Sequence, residues 1–376
     1  MKCVCISCFD HYNTRMGKVT QFFVSKGFET SYLITDYHHF KKMRYQASYP
    51  GMATIQVSVP KYEGNMSVQR LYSHFVFSNK VYKLLKKIRP DIIYCMFPPN
   101  SLVKKVSRYK KKTGCKLFFD CYDMWPESFP YGKIGRYLKI PFLLWGNLRD
   151  RYLDYADLII SVSEEGRDTL SKKVSGTPVS VIKPALSATD IPRYGFDITD
   201  EICFLYLGNI NHIIDIKLGA DLLSNIAKKK RVVLHIIGEG QYLDSFVELL
   251  RKSNIEVILH GVIFETEKKK DIFSKCDFGL NIPKEEIHSS MPLKAIEYMN
   301  MGLPFLNGGE GDITEIVEEE SVGININRED IQQTVKEIIQ LTNQEIRELS
   351  KNCVRCYEER FSNENYDEIF REYLLE

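Results

Sequence analysis

Short apolar runs alternate with amphipathic stretches along the whole chain. In the first half the runs are "KCVCISCF", "TSYLIT", "TIQVSV", "DIIYCMF", "KLFFD", "DLIISVS" and "VSVIK", all of which read as strands. Between several of them lie segments with helical spacing. Val68 to Ile88 repeats apolar residues at Val68, Leu71, Tyr72, Phe75, Val76 and Leu84, and these predict an inward face. Leu102 to Lys112 sets Leu102, Val103, Val106 and Tyr109 inward and its lysines outward. This is the pattern of a parallel sheet with covering helices.

The second half repeats the pattern with "ICFLYLGN", "VVLHIIGEG", "VILHGVI", "FGLNIP", "LPFLNGG" and "VGININ". The weakly patterned stretch Ser187 to Glu201 reads as a linker. The expected organisation is therefore α/β, with a Rossmann-like domain over 1–190, a second over 200–355, and a charged C-terminal helix in 356–376 that crosses back to the first domain. Two such domains facing each other imply a central cleft. Ligands of open α/β sheets sit beyond the carboxyl ends of the strands, so the strand-to-helix loops carry the expected chemistry.

Composition narrows the classes. The chain has 376 residues, 44% hydrophobic and 12% aromatic, enough for two cores. It holds no run of twenty apolar residues, and "MKCVCISCFD" lacks the long apolar region of a signal peptide, so the expected location is cytoplasmic. The ten cysteines include a lone CxxC at Cys353 and Cys356 without a second pair at zinc spacing. Reduced, packed cysteines and no metal site are expected. Net charge is only +2 but unevenly spread: Lys80 to Phe119 carries twelve Lys/Arg against Asp91 alone, whereas Glu310 to Glu376 carries eighteen acids against seven bases. An anionic partner for the first half is one reading, and a solvated helix face is the other.

Neither half has GxGxxG after its first strand, and GxxxxGK[ST] is absent, which removes the main support for a dinucleotide oxidoreductase or a P-loop NTPase. "GEG" at Gly238 to Gly240 follows a strand and permits close backbone approach. "FDCYDMWPESFP" gathers Asp120, Asp123, Trp125 and Glu127 into one loop; carboxylates and a ring at a strand end suit sugar hydroxyls and apolar sugar faces. The alternative is a turn whose aspartates bond their own backbone.

The most informative stretch is "SSMPLKAIEYMNMGLPFLN", Ser289 to Asn307. Ser290 is a candidate N-cap, Pro292 suits a first turn, and Gly302 with Pro304 ends the helix. Lys294 sits in the first turn, where the macrodipole disfavours a cation, and a diphosphate docked at the open N–H groups would account for it. Glu297, on the same face, could accept from a ribose diol. "NGGEGD" after the next strand offers further amides. The plainer reading is a solvated lysine and a glutamate in a surface pair.

"MPLKAIEYMNMGLPFLN" after "CDFGLNI" resembles the nucleotide-sugar-binding segment of the group 1, family-four glycosyltransferases with the GT-B fold. "FLYLGNIN", "LHIIGEG" and "LHGVI" stand in that family's order, and "RPDIIYCMFPP", "FDCYDMWPES" and "ADLIISVSEEGRDTL" resemble its N-terminal domain. The resemblance implies retaining, metal-free transfer from a nucleotide-sugar, with UDP-sugar the expected donor and no cofactor, to a glycan or lipid-linked acceptor in surface polysaccharide or glycoconjugate synthesis. It implies donor contacts at Gly17, where the loop after the first strand ends, and at Gly208, Asn209, Gly238, Gly240, Val262, Ser290, Lys294 and Glu297. Asp123 and Glu127 are the candidate catalytic groups. Peripheral contact with an anionic inner membrane face fits the basic first half, and no nucleic-acid partner is expected. Two positions depart from the family pattern: Ser289 stands where a second glutamate is usual, and "GNINHIID" lacks the usual basic residue. A nucleotide-sugar epimerase and a catalytically silent subunit of the same fold are the rival readings.

Overall fold

A computed structural model describes residues 1–10, 13–47, 53–64, 67–127, 135–184, 186, 196–287, 291–361 and 366–374. It divides into two compact units, 1–183 with 365–376, and 184–364.

Unit 1 begins with β1 (Lys2–Ser7), α1 (Asn13–Ser25), β2 (Glu29–Thr35), a two-strand hairpin of β3 (Tyr37–His38) and β4 (Met43–Arg44), and β5 (Ala53–Val57). It continues with α2 (Val68–Ile88), β6 (Ile92–Phe97), α3 (Asn100–Thr113), β7 (Lys116–Cys121), α4 (Gly135–Asp150), β8 (Leu158–Ser161), α5 (Glu164–Ser171) and β9 (Val179–Val181). Seven strands form one parallel sheet in the order β5-β2-β1-β6-β7-β8-β9. Every apolar run of the first half supplies one of them.

Unit 2 contains β10 (Glu201–Leu207), α6 (Ile216–Ala227), β11 (Arg231–Ile237), α7 (Leu243–Arg251), β12 (Glu256–Gly261), α8 (Thr266–Phe273) and β13 (Phe278–Asn281). It ends with α9 (Leu293–Asn300), β14 (Phe305–Asn307), α10 (Asp312–Glu320), β15 (Gly323–Asn325), α11 (Ile331–Gln340) and α12 (Asn343–Arg360). Its six-stranded parallel sheet has the order β12-β11-β10-β13-β14-β15. Alternate residues of β10 feed opposite cores, Phe204 and Tyr206 one and Leu205 and Leu207 the other, as the strand period of two requires. In both sheets the first strand is central and its neighbours run outward to either side. The loops after β1 and β10 therefore lie at the switch points where open α/β sheets bind ligands.

The C-terminal segment differs from its expected outline. α12 opens with a capping box between Thr342 and Glu345 and stays in unit 2, where the Ser350 hydroxyl donates to the Gly302 carbonyl (2.6 Å) and braces the end of α9. Only α13 (Tyr366–Leu374) belongs to unit 1. There Phe370 packs against Phe22, Phe23, Tyr94 and Phe118, with ring centroids 4.8–6.1 Å apart. The expected linker 187–201 lies largely outside the described residues.

α2 corrects a second expectation. Its buried face is Arg70, Ser73, His74, Phe77, Ser78, Val81 and Leu85, while Val68, Leu71, Tyr72 and Phe75 are exposed. Of the six residues expected inward, Val76 and Leu84 are half-buried and the other four face out, because Arg70 and His74 take the buried side against aromatic rings. α3 follows expectation, with Leu102, Val103, Val106 and Tyr109 buried, and stops at Gly114 with φ +73.

Candidate functional site

In unit 2 the switch-point loops are held together by glycine. Gly208, Gly238 and Gly240 have φ of +114, +153 and +151, where a side chain strains the backbone. At two of them space forbids one as well: a Cβ on Gly238 would stand 2.0 Å from the Gly208 carbonyl oxygen, and on Gly240 2.6 Å from the Ile210 nitrogen. The turns after β10 and β11 thus touch backbone to backbone. Asn209 between them is exposed, and Val262 is 47% exposed just past β12.

α9 enters beside these turns. It starts later than expected, at Leu293 with Pro292 as N-cap, so the N–H groups of Leu293 and Lys294 are the open donors of its first turn. Ser289 and Ser290 lie outside the described residues. The helix is anchored by Tyr298, whose hydroxyl accepts from the Leu207 amide (3.1 Å) and meets the carbonyls of Leu205 and Leu280 (both 3.2 Å). Gly279 leaves room for that ring, since a Cβ there would be 2.6 Å from it.

Lys294 reaches from α9 to the β10 turn. Its Nζ donates to the Tyr206 hydroxyl (3.0 Å) and lies 4.2 Å from the ring centroid of Tyr206. The Tyr206 hydroxyl in turn donates to the Asn209 carbonyl (3.2 Å). Gly208 is the neighbouring backbone, its Cβ position 4.0 Å from Lys294 Cε. Lys294 is half-buried, and burial pushes its pKa down to about 7. No carboxylate among the described residues pairs with it. A half-buried lysine with no carboxylate partner among the described residues, next to open helix N–H groups, has the chemistry that suits an anion.

Glu297 lies one turn deeper, half-buried, with Oε1 2.6 Å from Lys269 Nζ of α8. The structure thus includes the plainer ion pair, and leaves Oε2 without a partner among the described residues. The glycines after β14 correct an expectation: the Gly308 amide donates to the Asn281 carbonyl (2.7 Å) and that of Gly309 to Asn307 Oδ1 (3.1 Å), so neither is open to a ligand. Arg328 ties this turn to the β10 loop by donating to the Gly308 carbonyl (2.9 Å) and pairing with Asp215 (3.0 Å). Tyr206, Lys269 and Arg328 were not singled out from sequence. Each acts through a partner distant along the chain, and nothing local marks it.

Unit 1 sorts its candidates differently. Gly17 is inside α1, not at a loop end, because the helix already begins at Asn13. Asp120 is in β7, fully buried, and bidentate to Arg15 at 2.7 and 3.1 Å, with the Tyr94 hydroxyl as third donor. Glu127 is clamped by Arg149 at 2.7 and 3.0 Å and by Lys173. Burial would raise its pKa, but the hydrogen bonds and charge of Arg149 prevail and hold it at about 2. A carboxylate so held is ionised and occupied; its geometry is that of a clamp on the loop, not of a proton donor. Asp123 stands half-buried in the turn after β7, two residues before Trp125.

Beside that turn the polar face of α2 meets an aromatic cluster. The Arg70 guanidinium is 4.6 Å from the Trp125 ring centroid, 5.4 Å from Phe9 and 6.0 Å from Tyr62. His74 stacks on Trp125 at 5.9 Å, and burial with the Arg70 charge pushes its pKa down to about 3, so it is neutral. Among the described residues no three His, Cys, Asp or Glu side chains are placed to hold a metal ion.

Residues 201–344 match the family model described as glycosyl transferases group 1, and residues 19–188 match that of glycosyltransferase family 4. No curated protein sequence matches the chain. Sucrose-phosphate synthase from Thermosynechococcus elongatus has a similar structure, with TM-score 0.77 and 14% identity over 99% of both chains. Anabaena HepE, solved in complex with UDP and glucose, gives 0.68 and 13% over 100% of this chain and 99% of that one. WaaG, a glycosyltransferase involved in lipopolysaccharide biosynthesis, gives 0.70 and 11% over the whole of both. At these identities the likeness establishes a shared GT-B architecture.

Proposed function

The chain belongs to the group 1 glycosyltransferases, and on that premise we propose that it moves a sugar, with retention, from a UDP-sugar bound by unit 2 to a glycan or lipid-linked acceptor held by unit 1. The observation that carries the reading is Lys294. Its ammonium, held on Tyr206 with no carboxylate partner among the described residues, and the open N–H groups of α9 fit a diphosphate, and the glycine-only turns at 208, 238 and 240 let that group approach the backbone. Glu297, with one oxygen on Lys269, would accept from the ribose. In the reaction the C1–O bond to the diphosphate breaks and a C1–O bond to the acceptor forms on the same face. The acceptor proton passes to the departing diphosphate oxygen, whose charge Lys294 and the helix dipole stabilise. Such a step calls for no metal and no cofactor.

Asp123 and the Arg70–Trp125 cluster would meet the acceptor, and product use in surface polysaccharide or glycoconjugate synthesis agrees with the involvement of WaaG in lipopolysaccharide biosynthesis. A cytoplasmic enzyme resting on the inner membrane face through its basic first half completes the reading. The test mixes pure protein with nucleotide-sugars, with and without candidate glycan acceptors. Acceptor-dependent release of nucleoside diphosphate supports transfer. An isomerised sugar identifies an epimerase, and neither product identifies a silent subunit.

A further inference from the structure

The run "TEKKKD" that opens α8 has the composition of a solvated helix face, and Glu265 stands four residues before Lys269, the spacing of an ordinary helix ion pair. The structure distributes the three lysines otherwise. Lys268 takes Glu265 (3.2 Å) and Lys270 takes Glu267 (2.8 Å), whose carboxylates are 64% and 83% exposed. Lys269 instead crosses to α9 and places its Nζ 2.6 Å from Oε1 of Glu297. The two side chains of that pair are only 16% and 21% exposed, so water and salt screen it less than its neighbours.

Packing sets up the crossing. α8 and α9 follow β12 and β13 of one parallel sheet and share one core, with Ile272 and Phe273 from the first helix and Ala295, Ile296 and Met299 from the second. They therefore run in the same direction. Lys269 is the fourth residue of α8 and Glu297 the fifth of α9, so each stands about one turn in from its helix start. The consequence for the carboxylate is geometric. A free glutamate turns about three bonds and offers its oxygens in many directions. Here one lone pair of Oε1 is committed to an ammonium, which fixes the plane of the group. Oε2 has no partner among the described residues, and the two oxygens together keep lone pairs for two further donors. Vicinal hydroxyls, as on a ribose, supply two such donors side by side.

We propose that Lys269 is a positioning residue that presets the Glu297 carboxylate for a vicinal diol and so makes the donor site selective for ribonucleotides. The inference rests on the reading of Glu297 as the ribose acceptor and adds the residue that orients it. The gain is preorganisation. Immobilising a long side chain on binding lowers affinity about two- to ten-fold, and an ion pair already formed removes that loss. The opposite role, a lysine that masks the carboxylate until a ligand displaces it, has the reverse sign.

Calorimetry with UDP and with 2′,3′-dideoxy-UDP, which lacks both hydroxyls, tests this on the wild type and on Lys269→Met, Lys269→Gln and Lys269→Arg. The wild type should bind UDP about ten-fold or more tighter than the dideoxy analogue, the scale of charge-assisted hydrogen bonds left unmade. Lys269→Met should shrink that ratio by about two- to ten-fold. Removing a positive charge near a diphosphate weakens both ligands alike, so the ratio isolates the hydroxyls. Lys269→Gln should shift the ratio in the same direction, and Lys269→Arg should retain most of it. On a Glu297→Gln background, Lys269→Met should leave the ratio unchanged. A purely structural lysine would lower the melting temperature and weaken both nucleotides equally, and an unchanged ratio of this kind would overturn the proposal alone. Tighter UDP binding in Lys269→Met would do the same. A wild type that binds both nucleotides equally would remove the ribose role of Glu297 as well, and a wild type that binds no UDP would overturn the donor-site reading itself.

Discussion

Binding of a nucleoside diphosphate should draw a proton from solution, and the structure sets how much. The Lys294 ammonium, bonded to Tyr206 and without a carboxylate partner among the described residues, has its pKa lowered from 10.5 to about 7 by burial. Near pH 8 it would be only about one-tenth protonated, and a docked diphosphate would return it to the charged form, taking up about 0.9 proton. Near pH 6 it is already about nine-tenths charged, so uptake should fall to about 0.1 proton. Calorimetric titration of UDP in buffers of different ionisation enthalpy reads this number directly. The lysine's own contribution to affinity should fall about ten-fold, or ~1.4 kcal/mol, between pH 6 and pH 8, read as the difference from Lys294→Met because the terminal phosphate of UDP also titrates near pH 6. The free protein carries the same signature with the opposite benefit. The folded pKa lies below the unfolded one, so the unfolded chain binds more protons between about pH 7 and 10.5, and stability rises with pH across that window. Lys294→Met should remove both slopes. It should also raise the unliganded protein's stability near pH 7 by about 1–2 kcal/mol, well under the ceiling of about 4 kcal/mol that full burial would give. Absence of uptake near pH 8, or uptake that survives in Lys294→Met, would refute the reasoning.

Glu297→Gln should weaken UDP binding by about 1–3 kcal/mol, the scale of a charge-assisted hydrogen bond left unmade, and calorimetry with unchanged affinity would remove the ribose role. Asp123→Asn should lower turnover and spare UDP binding, since the proposed nucleotide site is in the other unit; equal losses in both would contradict an acceptor-side place. Glu127→Gln should destabilise unit 1 by about 1–2 kcal/mol, after allowing for the carboxylate's exposure, because Arg149 stays buried with a weaker partner. The folded pKa of Glu127 is about 2, below its ordinary value, so its contribution is present above about pH 4.5 and is lost as pH falls toward 2. Thermal melts of wild type and variant should therefore converge in acid, and a constant gap would count against the clamp.

What the sequence could show followed its length scale. All thirteen strands of the two large sheets were legible, because each is a short apolar run; the interior strands β6 and β13 are buried on both faces, whereas the edge strands β5, β9, β12 and β15 are only partly covered. The β3–β4 hairpin, two residues a side, was too short to carry a period. Lys294 and Glu297 stood out through their helix position. Their partners Tyr206 and Lys269 come from other elements, 88 and 28 residues away, and no local pattern announces them. Asp120 and Glu127 looked alike in one acidic loop, yet each is bound by an arginine remote in sequence, Arg15 at 105 residues and Arg149 at 22. α2 misled for a physical reason. Periodicity assumes that apolar residues face the core, and here Arg70 and His74 are packed among Phe9, Tyr62 and Trp125 while the apolar stripe faces out.

The central claim is that unit 2 holds the donor diphosphate between α9 and the turn after β10. A crystal structure of the protein with UDP tests it most directly. The diphosphate should lie within hydrogen-bond distance of Lys294 Nζ and the Leu293 and Lys294 amides, against Gly208, with the ribose hydroxyls on Glu297. A diphosphate bound elsewhere, with Lys294 still on Tyr206 and Glu297 facing no ribose, would contradict it.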